Sequence, residues 1–91
     1  MYAVKYTTAF KKSYKLIKKR GLDVALLDEV VDKLRRGQPL EDKFHDHALK
    51  GEFDGFRECH IKPDWLLIYF IDGEVLTLTL VDTGSHTDLF S

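Results

Sequence analysis

Three closely spaced strand patterns in the C-terminal half of the chain constrain its fold more than any other feature. The three segments are 56–62, 65–71 and 74–81. Each is rich in β-branched, aromatic and other apolar side chains, which is typical of strands. Pro63-Asp64 separates the first pair, and Asp72-Gly73, a strong tight-turn signal, separates the second. Because such short connections join antiparallel neighbours, the sequence predicts a three-stranded antiparallel sheet here.

The N-terminal half adds a strand and a first helix. Residues 2–7 alternate and are rich in β-formers, so they predict a strand. Thr8 is a suitable N-cap, and apolar side chains then recur at helical spacing. Those side chains are Phe10, Tyr14 and Ile17. Gly21 is expected to end this helix.

A second helix follows almost at once. Asp23 can cap it, and a broad apolar stripe follows. The stripe consists of Leu26, Leu27, Val30, Val31 and Leu34. Gly37 and Pro39 are expected to end the helix, and the short connection between the two helices predicts an antiparallel hairpin. Residues 38–55 lack clear periodicity and are interpreted as a loop.

The element order β-α-α-β-β-β predicts an α+β fold with an antiparallel-rich sheet. The helical hairpin would cover one face of the sheet, and the other face would stay open to a ligand. All 91 residues are expected to form a single domain. The hydrophobic fraction of 44% and the charged fraction of 32% are typical of a globular chain rather than a disordered one.

Two observations bear on the location of the protein and on cysteine chemistry. The longest apolar run, residues 65–71, is too short to span a bilayer. The N-terminus also lacks the apolar stretch of a secretory signal, so we expect a cytoplasmic protein. Cys59 is the single cysteine and is interpreted as a small buried hydrophobe. A nucleophilic pair with His60 is disfavoured, because adjacent strand residues point to opposite faces.

Charge by itself leaves two interpretations open. The net charge is −1, but lysine and arginine crowd residues 11–20 and 33–36. Such basic helices could track a polyanion such as RNA. They could equally be a solvated helix surface.

Histidines are the side chains that most suggest chemistry. They are His45, His47, His60 and His86. By strand alternation, Glu58, His60 and Lys62 share one face, opposite Cys59 and Ile61.

Several histidines with Asp64 around one rim would suit proton transfer, because imidazole titrates near neutrality. RNA carries its own nucleophile, the 2′-hydroxyl, so a nuclease needs a base, an acid and cations for the phosphate. Candidate cations are Lys50, Arg57 and Lys62. Aromatic side chains on which a base could stack are Trp65, Tyr69 and Phe90.

Simpler interpretations remain open at this point. His45-Asp46-His47 could contribute to a zinc site, but this spacing without a cysteine is a weak signal, and we expect neither a metal nor a cofactor. Trp65 and Tyr69 could fill the core, which is the preferred interpretation for Tyr69. Asp64 could simply shape the turn after Pro63.

Three blocks of sequence together resemble the YafQ branch of the RelE/ParE toxin superfamily. They are residues 46–51 (DHALKG), 55–69 (GFRECHIKPDWLLIY) and 83–90 (TGSHTDLF). The blocks occur in the family's order, and the N-terminal strand and helical hairpin match more loosely. The resemblance implies a RelE-like fold and a type II toxin that enters the ribosomal A site and cuts mRNA. It also implies a 2′,3′-cyclic phosphate product and no metal.

The resemblance implies roles for particular residues and partners. The family's catalytic positions correspond to His47, His60, Asp64 and His86, with His86 as the principal general acid or base. Its motif aromatics correspond to Trp65 and Phe90. A cognate antitoxin would neutralise the toxin, and the pair would bind operator DNA. The free toxin is expected to be a monomer.

One position departs from the family pattern. Several relatives have an arginine just before the Thr-Gly-Ser-His block, where this chain has Asp82. A carboxylate near a phosphate opposes binding unless a cation offsets it. Asp82 therefore keeps open the alternative of a weakened toxin that serves as an antitoxin-binding module. A ParE-like gyrase inhibitor is a second alternative, because the two kinds of toxin share a fold.

Overall fold

A computed structural model describes residues 1–90, which form a mixed α+β fold. Its helices and strands are β1 (Ala3–Tyr6), α1 (Thr8–Lys19), α2 (Val24–Arg35), β2 (His47–Ala48), β3 (Arg57–Lys62), β4 (Trp65–Asp72), β5 (Thr77–Gly84) and α3 (His86–Phe90). Two short 3₁₀ turns, Asp42–Phe44 and Gly51–Phe53, flank β2. The predicted β-α-α-β-β-β order is confirmed, with β2 and α3 added to it. None of the helices in residues 1–90 is long and apolar enough to cross a membrane.

The sheet has five strands in the order β1-β5-β4-β3-β2. β1 runs parallel to β5, and the other neighbours are antiparallel. The parallel pair is possible because the α1–α2 hairpin carries the chain across the sheet between β1 and the later strands. The antiparallel-rich α+β prediction is therefore confirmed.

The core lies between the helical hairpin and one face of the sheet. Its buried members include Phe10, Ile17, Leu27, Val30 and Leu34 from the helices, and Cys59, Leu67, Tyr69, Leu78 and Leu80 from the strands. The predictions that Cys59 and Tyr69 belong to the core are confirmed. The Cys59 thiol is fully buried, and burial raises its pKa to about 12.

Helix ends follow local chemistry, with one correction. The N-cap of α1 is Thr7 rather than the predicted Thr8, because the Thr7 hydroxyl accepts from the Phe10 amide at 2.9 Å. The same hydroxyl donates to the Val81 carbonyl, which fixes α1 to β5. Asp23 caps α2 as predicted. Gly21 follows the end of α1 at φ +83°, a conformation that glycine adopts without strain.

Two segment boundaries predicted from the sequence are wrong. Residues 38–55 are not a plain loop, since they contain two 3₁₀ turns and β2. The last strand begins at Thr77 rather than residue 74, because the Asp72 carboxylate accepts from the amides of Glu74 and Val75 and holds a longer turn. Leu76 closes this turn at φ +54°.

The sheet face opposite the helices is not open along its whole length, contrary to expectation. Leu66 and Ile68 point to this face and are 0% and 2% exposed. Phe70 follows on the same face by alternation and contacts Phe56 edge-on. This face is therefore covered around Leu66 and Ile68, although Phe70 is 36% exposed.

Candidate active site

Histidine side chains from three elements meet at the end of β3. His60 lies in β3, His47 in β2 and His86 at the start of α3. The His60 ring centroid is 6.2 Å from that of His47 and 5.9 Å from that of His86. His45 also approaches, with its centroid 5.6 Å from that of His60. The structure thus brings the three predicted histidines together and adds a fourth.

β2 places His47 beside Glu58, because these two residues are directly paired across β2 and β3. Glu58 has a side chain that is only 5% exposed, and its Oε1 lies 3.4 Å from His60 Nε2 and 3.7 Å from His47 Nε2. A buried carboxylate is stable only when it is paired, and here it is shared by two imidazoles.

The other ring nitrogens of the two histidines face backbone carbonyls. His47 Nδ1 donates to the His45 carbonyl at 2.7 Å, and His60 Nδ1 donates to the Pro63 carbonyl at 3.3 Å. A carbonyl accepts only, so in both rings Nδ1 carries the proton and Nε2 faces Glu58. One ring nitrogen from each of these histidines and one Glu58 oxygen lie within 4.8 Å of one another.

The β3–β4 turn and the first turn of α3 hold His86. Asp64 Oδ1 accepts from the His86 amide at 3.2 Å and lies 3.3 Å from His86 Nδ1. The Ser85 hydroxyl accepts from the Asp88 amide, and the Asp88 carboxylate accepts from the Ser85 amide, a reciprocal capping pair. Arg20, the C-cap residue of α1, binds the same carboxylate at 2.8 Å and lowers the pKa of Asp88.

Asp46 fastens the segment that carries His45 and His47 to the sheet. Its Oδ1 accepts a short hydrogen bond from the buried Tyr69 hydroxyl, and its Oδ2 accepts from Arg57 at 3.1 Å. Arg57 Nε also donates to the Tyr69 hydroxyl at 3.3 Å, and these bonds raise the pKa of the guanidinium. We call the side chains of Asp46, Arg57 and Tyr69 the latch.

The predicted cations differ in how free they are to meet a phosphate. Arg57 belongs to the latch, so much of its charge is balanced by Asp46. Lys50 and Lys62 are exposed, and neither forms an ion pair within residues 1–90. Strand register shifts between His60 and Lys62, so the alternation that predicted a shared face does not extend to Lys62.

Of the two motif aromatics, only one is accessible. Phe90 is 43% exposed, and its ring lies 6.0 Å from His86 and 5.3 Å from Phe53. The prediction that Trp65 offers a stacking surface is wrong, because Trp65 is only 4% exposed. Its indole N–H donates to the Thr83 hydroxyl at 3.0 Å, so it joins β4 to β5 beneath the site.

Asp82 is half-buried, and its carboxylate is hydrogen-bonded within the fold. Its Oδ1 accepts from the Ser13 hydroxyl of α1 and from the Thr83 amide. The side chain that replaces the arginine of several relatives therefore links α1 to β5, and these contacts balance part of its charge.

A cleft opens beside the histidines, between α2 and the end of β3, and we call it the α2–β3 cleft. Its volume is about 790 Å³. It is lined by Leu26, Glu29, Lys43, Phe44, His45, His47, His60, Ile61, Lys62 and Pro63. His60 lines the cleft, whereas His86 and Asp64 do not. The cleft and His86 therefore lie on different sides of His60.

Sequence reasoning missed three contributors to this site. The sequence suggests His45 only as a weak candidate for a zinc ligand, and nothing local to the sequence predicts that it reaches His60. Strand alternation places Glu58 on the same face as His60, and this is the one sequence feature that indicates its part in the site. The sequence suggests Asp46 only as a possible metal ligand. Its hydrogen bond with Tyr69 joins residues 23 positions apart, so no local pattern indicates it.

Comparison with known proteins places this arrangement in a family. Residues 2–91 match the family model described as bacterial toxin of type II toxin-antitoxin system, YafQ. The mRNA interferase toxin YafQ of Escherichia coli strain K12 is 34% identical over 88 residues, 96% of this chain and 94% of that protein. A metal-bound toxin from Helicobacter pylori is 47% identical, with a TM-score of 0.94 over 99% of this chain and 100% of that one. The E. coli DinJ–YafQ complex gives 33% identity and a TM-score of 0.90, with both chains fully covered. The chain therefore belongs to the YafQ family of toxins of type II toxin–antitoxin systems.

Proposed function

We propose that this toxin is a ribosome-dependent endoribonuclease that cuts mRNA by metal-independent acid–base catalysis. The observation that carries the proposal is the convergence of His47, His60 and His86 at one accessible end of the sheet, with Asp64 bound to His86. The mRNA interferase relative in E. coli supports the same activity.

The reaction uses the 2′-hydroxyl of the RNA as the nucleophile. A base removes its proton, the oxygen bonds to the adjacent phosphorus, and the bond from phosphorus to the 5′ oxygen breaks. An acid protonates that leaving oxygen, and the product is a 2′,3′-cyclic phosphate. His86 is the principal acid or base, because Asp64 engages Nδ1 and leaves Nε2 for the substrate.

The remaining residues support charge and orientation. His47 and His60 share proton transfer and phosphate positioning. Lys50 and Lys62 neutralise the negative charge that grows on the phosphate, and Arg57 acts chiefly by holding Asp46. Phe90 offers an exposed ring beside His86 on which an unstacked base can rest.

The proposal includes partners and a location. A cognate antitoxin binds and neutralises the toxin, as DinJ does in the complex with E. coli YafQ. Operator DNA is bound only through the toxin–antitoxin complex, and the free toxin is a monomer. The substrate, mRNA in the ribosomal A site, places the protein in the cytoplasm. Gyrase inhibition would leave the histidine cluster without a role.

Primer extension on a defined mRNA in a reconstituted translation reaction tests the nuclease. We expect the native protein to cut in codon register only when ribosomes are present. His86→Ala should lower the cleavage rate by about 100-fold or more, since acid–base groups contribute this much. Lys5→Gln, an exposed change in β1 at the far edge of the sheet and outside the basic stretches 11–20 and 33–36, should leave cleavage unchanged. Absence of cutting by folded native protein would contradict the proposal.

A second proposed property is reversible inhibition by a divalent transition metal. In both His47 and His60, Nδ1 donates to a carbonyl and leaves Nε2 turned to the Glu58 carboxylate, which is how metal-binding histidines are commonly held. The metal-bound relative from H. pylori supports this. A bound ion would occupy two imidazoles that proton transfer needs.

Nitrogen-detected NMR of the imidazoles under zinc titration tests metal binding independently of cleavage. We expect shifts of Nε2 in His47 and His60, with that of His86 changing less. Glu58→Gln should weaken zinc binding, whereas Glu52→Gln, on an exposed 3₁₀ turn, should not. Equal binding by the two variants would refute the assignment.

A further inference from the structure

We propose that the α2–β3 cleft is a subsite for the nucleotide next to the scissile one, with Lys43 and His45 as binding residues. This proposal rests on the nuclease function proposed above. The cleft begins where the histidine cluster ends, since His45, His47 and His60 form part of its wall. An RNA strand bound across His60 therefore has one neighbouring nucleotide directed into the cleft.

The size and chemistry of the cleft match a nucleotide. A volume of about 790 Å³ lies within the usual range for small-ligand sites. Leu26, Phe44 and Pro63 supply apolar wall for a base. Lys43 and Lys62 supply positive charge for a phosphate, and Glu29 is the single carboxylate in the lining.

Lys43 is held where a phosphate could reach it. Its Nζ lies 5.2 Å from the centroid of the Phe44 ring, and its side chain is 69% exposed. The nearest carboxylate oxygen, from Glu41, is 4.0 Å away, which is a weak pairing. The charge is therefore both oriented by the ring and available to an anion.

His45 has an unusual backbone that the latch maintains. It adopts φ +46° and ψ +45°, a left-handed conformation that is disfavoured for residues with a side chain and is better suited to glycine or asparagine. Asp46 holds it there through Arg57 and Tyr69. This conformation directs the imidazole against His60 at the mouth of the cleft, and disfavoured backbone of this kind is concentrated at functional sites.

Binding of non-cleavable oligonucleotides tests the subsite. The probes are a dinucleotide with 2′-deoxyribose at the scissile position and two trinucleotides that extend it by one residue on either side. We expect one extension to tighten binding by about tenfold, as one additional held base does elsewhere. Amide shifts at residues 43–45 should then appear only with that trinucleotide.

Variants that remove a cationic or imidazole group, compared with one that removes a carboxylate, distinguish a binding role from a structural one. Lys43→Gln and His45→Asn should abolish the gain from the extension, and asparagine tolerates the left-handed backbone. Glu29→Gln, on the facing wall, should increase the gain, and Lys5→Gln, in the distant edge strand β1, should leave it unchanged. Structural damage could not produce changes of both signs.

Three outcomes would overturn the subsite. One is that neither extension tightens binding, and another is that all four variants keep the same gain. The third is that Lys43→Gln and His45→Asn weaken binding of the antitoxin but not of the trinucleotide, which would assign the cleft to a protein partner. Failure of native protein to cut mRNA would remove the nuclease proposal but would leave this binding measurement intact.

Discussion

Removing the Tyr69 hydroxyl should release the segment that carries His45 and His47. In the native protein this hydroxyl donates to Asp46 and accepts from Arg57 Nε, and burial together with the Asp46 bond raises the pKa of Tyr69. Tyr69→Phe keeps the packing of the ring but deletes both bonds. Among residues 1–90, Asp46 then retains only the hydrogen bond from Arg57 Nη2, at 3.1 Å.

The size of the effect follows from the burial of the partners. A hydrogen bond to a charged group contributes about 1.5–3 kcal/mol, and less where water can replace it. The Asp46 side chain is 25% exposed, so partial replacement by water is expected. We therefore expect a loss of about 1.5 kcal/mol in the free energy of unfolding, equivalent to a fall in Tm of roughly 6–12 °C.

Denaturant unfolding and amide hydrogen exchange measure the two parts of this prediction. Exchange should accelerate at residues 45–49 more than in β4, and mRNA cleavage should fall with it. Tyr14→Phe is the matched control, because its hydroxyl makes one exposed 3.4 Å bond to Asp28. That control should lose less than about 0.5 kcal/mol. Unchanged exchange at residues 45–49 in Tyr69→Phe would refute the positioning role of the latch.

Three further outcomes are expected. Gly84→Ala would place a Cβ 3.0 Å from Cβ and Oδ2 of Asp88, so the first turn of α3, which carries His86, must shift. The rate of mRNA cleavage should therefore fall by about tenfold or more, while thermal unfolding stays cooperative. The Arg20 guanidinium lowers the pKa of Asp88, so this carboxylate stabilises the fold above its unfolded pKa and loses that effect as pH falls through the folded pKa. Asp88→Asn should therefore lose up to about 1 kcal/mol at neutral pH and match the native protein in acid, and a constant difference across pH would contradict the ion pair. Because burial raises the Cys59 pKa to about 12, the thiol should react with a disulfide reagent at pH 8 only on unfolding; rapid reaction of native protein would show that β3 opens.

The amino-acid sequence determined those features that depend on neighbouring residues. The period of the apolar side chains predicts α1, α2 and the long strands, because each period belongs to one backbone conformation. Asp23 and Gly21 mark helix ends through bonds to nearby backbone groups, and the Pro63-Asp64 turn is equally local. Alternation also placed Glu58 with His60 and opposite Cys59.

Tertiary structure decided which of these side chains can act. Trp65 belongs to a family motif, but the pairing of β4 with β5 buries it against Thr83. Asp82 is an isolated acid in the sequence, yet Ser13, 69 residues away, donates to its carboxylate. His45 reaches His60 because β2 pairs with β3 and the latch bonds the adjacent Asp46 to Tyr69 of β4. Such contacts join residues that are distant along the chain. They form only when the whole chain has folded, so no local sequence pattern predicts them.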